Sequence, residues 1–77
     1  MNQPPAIVKA YRKRIWQIRA AHDVRDFYNN KGFHFEKRKT EPGVFEIRLN
    51  DQFRLFIRFE GESPRKIVVV IGIKDLH

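Results

Sequence analysis

Val44-Phe45-Glu46-Ile47-Arg48-Leu49, then Asn50-Asp51-Gln52, then Phe53-Arg54-Leu55-Phe56-Ile57-Arg58-Phe59, is the stretch whose reading decides the fold. Both arms alternate apolar and polar residues with period two, the pattern of a half-buried β-hairpin. Phe45, Ile47 and Leu49 share one face of the first arm, and Phe53, Leu55, Ile57 and Phe59 share one face of the second. All of these positions are odd-numbered, so parity constrains the turn. A two-residue loop at Asn50-Asp51 would pair Leu49 with Gln52 and send the apolar sets to opposite faces. A three-residue loop, Asn50-Asp51-Gln52, pairs Leu49 with Phe53 and Ile47 with Leu55. The three-residue loop is therefore expected.

That register has a price on the other face. Arg48 lies opposite Arg54, Arg58 falls on the same side, and Glu46 faces Phe56. Like charges directly across a ladder are destabilising, a cross-strand pair being worth roughly 0.2–1 kcal/mol either way. Long arginines could splay into water at little cost. The sharper reading is that a polyanion sits over this face.

Working outward, the chain has 77 residues, enough for one small domain spanning 1–77. Domains near this size bury only about 60% of their unfolded surface, so the core must be compact. There is no cysteine, which excludes a disulfide framework and a thiolate metal site and suits a reducing cytoplasm. Three histidines without cysteine argue against structural zinc, and no metal or cofactor is expected. No apolar run approaches the ~20 residues of a membrane span. The polar, proline-containing start does not read as a signal peptide. A net charge of +7 and a pI of about 10.3 favour anionic partners, nucleic acid ahead of a membrane surface.

Upstream of the hairpin, Pro4-Pro5 should lie just before or at a helix start. From Ala6 to about Ala21, Ile7, Tyr11, Ile15 and Ile18 recur at helical spacing, flanked by Val8 and Trp16. The outer surface of this helix is read as Lys9, Arg12, Lys13, Arg14 and Arg19, with no acid before Asp23. It is either a solvated face or one that docks an acidic protein or rRNA. Asp23 is a candidate N-cap, with Asp26 three positions on in a capping-box role, for a short helix through Val24, Phe27 and Tyr28. Asn30-Lys31-Gly32 reads as its stop. A basic loop, Phe33 to Lys39, and a turn, Thr40 to Gly43, lead into the hairpin. Downstream, Gly61-Glu62-Ser63-Pro64 is a turn, and the unbroken run Ile67 to Ile71 predicts a strand covered on both faces. The expected fold class is α+β: two N-terminal helices on the odd-numbered face of a small antiparallel sheet of about three strands, with the arginine face open.

Three stretches, Phe33 to Lys39, Glu46 to Phe59 and Ile67 to His77, resemble HigB-type toxins, the plasmid-maintenance killer branch of the RelE/ParE superfamily. Ile47-Arg48-Leu49-Asn50-Asp51-Gln52-Phe53-Arg54 carries most of that likeness, and a weaker helical likeness runs from about Pro5 to Gly32. The resemblance implies a cytoplasmic type II toxin, an endoribonuclease that cuts mRNA on the ribosome and is silenced by a HigA-like helix-turn-helix antitoxin. It would place functional positions on His34, a loop lysine, Arg54, Asp75 and His77. A His-x-x-Lys spacing selects Lys37, whereas the family's Lys-Gly-Asp-Arg turn selects Lys39, here followed by Thr40-Glu41-Pro42. Leu76 stands where the family commonly has tyrosine. Such toxins also usually begin with a further strand and part of a helix, so a RelE-like sheet lacking its first strand is expected here. The uncovered edge would then take an antitoxin segment or a second copy.

Metal-free RNA cleavage uses the adjacent 2′-hydroxyl as nucleophile. It needs a base for that hydroxyl, an acid for the leaving 5′-oxygen, and cations on the phosphate. Arg54 with Arg48 suits a phosphate clamp, and Arg58 and Arg38 extend the RNA-binding surface. His34, Asp75 and His77 are candidates for proton handling, with Lys37 or Lys39 on the non-bridging oxygens. His77 carries the terminal carboxylate, which favours its cation and so an acid role, leaving His34 or the loop lysine as base. His22 is read as structural. Leucine at position 76 removes an aromatic platform, so slow or relaxed cleavage is expected. The alternative is a non-catalytic or weakened relative that occupies antitoxin or ribosome, or inhibits another target such as gyrase.

Overall fold

The computed structural model describes residues 5–62 and 67–75. Its order is helix α1 (Pro5–Ala20), helix α2 (Val24–Asn29), one 3₁₀ turn (Lys31–Phe33), then strands β1 (Glu36–Lys37), β2 (Val44–Arg48), β3 (Phe53–Glu60) and β4 (Ile67–Asp75). The strands form one antiparallel sheet in the order β1-β2-β3-β4. This is the expected α+β architecture with four strands in place of three. The addition is β1, within the segment expected as a basic loop. Phe33 and Phe35 are buried on either side of exposed His34, and that anchoring lays Glu36 and Lys37 against Glu46 and Phe45.

The hairpin follows the parity argument. Ile47 pairs with Leu55, Arg48 with Arg54 and Glu46 with Phe56, and the Leu49 N–H donates to the Phe53 carbonyl at 3.1 Å. Asn50 Oδ1 accepts from the N–H groups of Gln52 and Phe53, both at 2.8 Å, so the turn is closed by its own side chain. The helices cover the odd-numbered face: Ile7, Phe27, Phe33 and Phe35 join Ile47, Leu49, Leu55 and Ile57 in one core. Phe27, Phe35 and Phe45 pack at ring separations of 5.3 and 5.1 Å, edge-to-face in the first pair and stacked in the second.

α1 opens with Pro5 at its first position, where a missing N–H is harmless. Its inner stripe includes one residue read as outward-facing. Arg14 lies between Ile7 and Ile18 in helical phase and turns toward the sheet. It donates from Nε to the Arg48 carbonyl at 2.9 Å, from Nη2 to the Gly32 carbonyl at 2.8 Å and from Nη1 to Gln17 Oε1 at 2.8 Å. Its guanidinium also lies over the Phe33 ring, 5.2 Å from the centroid. Arg14 is thus a clamp between α1, β2 and the 3₁₀ turn.

The short second helix carries the capping box its sequence predicts. Asp23 accepts from the Arg25 N–H at 3.0 Å, and Asp26 reaches back to the N–H groups of Asp23 at 3.3 Å and His22 at 2.7 Å. Asn30 ends that helix and starts the next turn, accepting from the Gly32 N–H at 3.1 Å.

β4 departs from expectation. It lies at the edge of the sheet, and Ile67 is 61% and Ile71 42% exposed. Its register shifts at Phe56/Ile57: Phe56 faces Gly72 while Ile57 faces Val70, so Ile71 is an unpaired bulge residue. Val68 and Val70 therefore point to the helix side before the bulge, and Ile73 and Asp75 after it. Among the described residues, no helix is long and apolar enough to cross a membrane.

Candidate nucleic-acid interface

The sheet face opposite the helices carries the even-numbered side chains of β2 and β3. Its centre is Phe56, only 1% exposed although, among the described residues, no helix covers it. The Arg38 guanidinium lies 4.7 Å and the Lys74 ammonium 4.9 Å from its ring centroid, so two cations roof one aromatic. Around this centre the face divides electrostatically. Toward β1, Arg38 is neutralised by Glu46 at 3.1 Å and Glu41 at 3.6 Å, with Glu36 opposite Glu46. Arg58 pairs with Glu60 at 3.3 Å.

Toward the hairpin turn the balance reverses. Arg48 is opposite Arg54, and Arg54 is opposite Lys74, so three cations form a row across β2, β3 and β4. With neighbouring strands about 4.8 Å apart, the row spans roughly 10 Å. Arg48 bonds Asp51, a residue of the turn. Arg54 satisfies itself on backbone, its Nη1 donating to the Phe53 carbonyl at 3.1 Å and to that of Asn50. Exposed ion pairs of this kind are worth roughly 0–1 kcal/mol, so a phosphate bearing a full charge can displace them. Arg14 adds to the positive field from below: burial first, then the charge of Arg48, holds its guanidinium below the usual value.

Among the described residues, His34 is the one proposed proton-handling residue drawn to this row. Its Nε2 is 3.4 Å from Arg48 Nη1, and since arginine can only donate, the contact is a hydrogen bond in the tautomer that leaves Nε2 unprotonated. The residue adopts a left-handed backbone, φ 44° and ψ 49°, at the end of the 3₁₀ turn. That conformation is uncommon outside glycine, and it lets Phe33 and Phe35 both enter the core while the imidazole stays outside.

The other predicted residues are placed differently. Lys37 is opposite Phe45, on the helix-side parity and at the β1 edge, and Lys39 is exposed in the turn beyond it. Asp75 is opposite Phe53, again on the parity opposite Arg54, and accepts from Gln52 Nε2 at 2.8 Å. Leu76 and His77 lie outside the described residues. Conversely, Lys74 was missed. Its place beside Arg54 depends on the bulge at Ile71, which hairpin parity does not predict.

The fold is that of a small α+β protein, with helices on one side of an antiparallel sheet and the Arg48–Arg54–Lys74 row on the other. Compared with known protein families, curated proteins and solved structures, the chain finds no match in any of the three.

Proposed function

We propose that this chain is a HigB-type toxin of a type II toxin–antitoxin system, acting as a ribosome-dependent mRNA endoribonuclease. The observation that carries the proposal is the cationic row Arg48–Arg54–Lys74 beside His34, on the sheet face opposite the described helices. Like charges aligned across a ladder oppose folding, and a bound phosphate reverses the sign of that interaction. The sequence likeness centred on Ile47 to Arg54 supplies the substrate class.

In this reading the scissile phosphate sits on the row, with Arg54 at its centre. Phosphate binding draws Arg48 away from His34, which frees Nε2 to take the proton of the 2′-hydroxyl. The 2′-oxygen then bonds to phosphorus and the bond to the 5′-oxygen breaks, leaving a 2′,3′-cyclic phosphate. The leaving oxygen takes its proton from an acid, the role assigned to His77. The cations stabilise the charge that builds on the non-bridging oxygens.

The test is mRNA cleavage on programmed ribosomes. Arg54→Ala should abolish detectable product, and His34→Ala should slow cleavage by about 10²–10⁴-fold, the usual contribution of a positioned acid or base. Full activity in either variant overturns the assignment of that residue. The placement of Lys37 and Asp75 on the opposite parity from Arg54 favours one second reading, a stoichiometric binder of ribosome or antitoxin. A binder would arrest growth with His34 or His77 removed but not with Arg54 removed.

A further inference from the structure

The outward face of α1 has an unusual composition. Trp16, the single tryptophan of the chain, is 76% exposed. Lys9, Arg12, Lys13 and Arg19 stand seven, four and three residues before it and three after it, so all share its side of the helix, and all are exposed. α1 contains no aspartate or glutamate. Among the described residues, every ion pair lies elsewhere in the molecule, and none engages these four cations. A solvated helix face normally mixes charge signs at i,i+4 spacing. Here Lys9 and Lys13 repel at that spacing instead.

We propose that this face is a second site for single-stranded RNA, with a base stacked on Trp16 and flanking phosphates held by Lys9, Arg12, Lys13 and Arg19. A nucleotide supplies both things the surface lacks, a flat π-face for the exposed ring and anionic charge on either side of it. An acidic polypeptide satisfies the cations but leaves the indole without a partner. A lipid surface would need a broad apolar stripe, and the apolar stripe of α1, from Ile7 to Ile18, is packed against the sheet. Because α1 lies on the helix side, this site and the Arg48–Arg54–Lys74 row are on opposite sides of a body measuring 35 × 28 × 23 Å. The chain therefore holds two RNA segments at once, one on each side. This inference is independent of cleavage chemistry on the sheet face.

The single tryptophan makes the test direct. The full chain is titrated with a short oligoadenylate while Trp16 emission and the anisotropy of a labelled copy of the oligonucleotide are followed. Saturable quenching is expected, and it should persist in Arg48→Ala/Arg54→Ala, which separates this site from the sheet face. Trp16→Ala should weaken binding by that sheet-face variant about fivefold or more, and Trp16→Phe should recover most of the loss. Arg12→Ala and Arg19→Ala should each reduce the slope of log affinity against log salt by about 0.7. RNA binding with unchanged Trp16 emission, or no binding by the sheet-face variant, overturns the proposal. So does polyglutamate producing the same quenching and salt slope, which would assign the face to an acidic protein.

Discussion

β3 and β4 lie side by side, and their burial runs opposite to their composition. β3 alternates arginine with apolar residues, yet Leu55, Phe56 and Ile57 in succession are no more than 1% exposed. β4 carries no charge from Ile67 to Ile73, yet Ile67, Val70 and Ile71 are among the exposed large apolar residues of the chain. The difference is lateral position. β3 has a strand on each side, helices over one face, and Arg38 and Lys74 over Phe56 on the other. β4 has one neighbour, and beside it a cleft of about 700 Å³, lined in part by Ile15, Phe27, Phe59 and Val68, remains between helices and sheet. A side chain in a sheet is buried by neighbours on both flanks as well as by what covers its face.

The largest effect expected from this contrast is at Leu55. Leu55→Ala leaves a cavity at a fully buried site and should cost about 2–5 kcal/mol in urea-induced unfolding. Ile71→Ala, at the bulge, should stay within about 0.5 kcal/mol, as for ordinary surface positions. The pair of values is the informative quantity. A core-sized loss at Ile71 would mean that the edge is covered in solution, by a second copy or another chain, and sedimentation would then show a species heavier than the monomer.

A smaller effect separates packing within the sheet from clamping by α1. Arg14→Lys keeps the charge but cannot reach the carbonyls of Arg48 and Gly32 and the side chain of Gln17 together. Loss of these charge-assisted bonds should cost about 1.5–3 kcal/mol. The same unfolding assay measures it, and a neutral result would mean that β2 holds its end without the helix.

How much of this was legible in the sequence follows from what each feature depends on. The hairpin register was readable because parity alone forbids the two-residue loop, and the Asp23–Asp26 cap because it depends on four adjacent residues. β1 was not, since two residues carry no period, and only the anchoring of Phe33 and Phe35 places them beside β2. The edge position of β4 was not, since an apolar run specifies a strand but not its neighbours. Lys74 was lost with the bulge that re-phases it. Arg14 was legible in principle: it is seven residues after Ile7 and four before Ile18, on the buried stripe, where a long charged side chain can still reach backbone carbonyls.

The smallest effect concerns the cover over the β4 side of the core. α2 contributes Val24 and Phe27 to the cleft beside Val68 and Val70, and six residues are too few for a helix to persist without its cap. Asp26 sits below the ordinary carboxylate value of 3.8, chiefly because the His22 N–H bonds its ionised form, with help from the Asp23 N–H and the charges of His22 and Arg25 and against a desolvation penalty. A carboxylate whose value is depressed on folding adds stability that is present above the unfolded value and disappears as pH falls through the folded one. The contribution should therefore be intact at neutral pH and be withdrawn below about pH 3.8. Asp26→Asn cannot ionise, so its unfolding midpoint should fall less steeply with acid than that of the native chain. Amide protection at His22 and Phe27, relative to the intrinsic exchange rate at each pH, should fall in the native chain over the same interval, while Leu55 stays protected. Identical acid limbs in the two proteins would show that the cap holds by geometry alone, and the edge side of the core would then owe its order to packing, as the centre does.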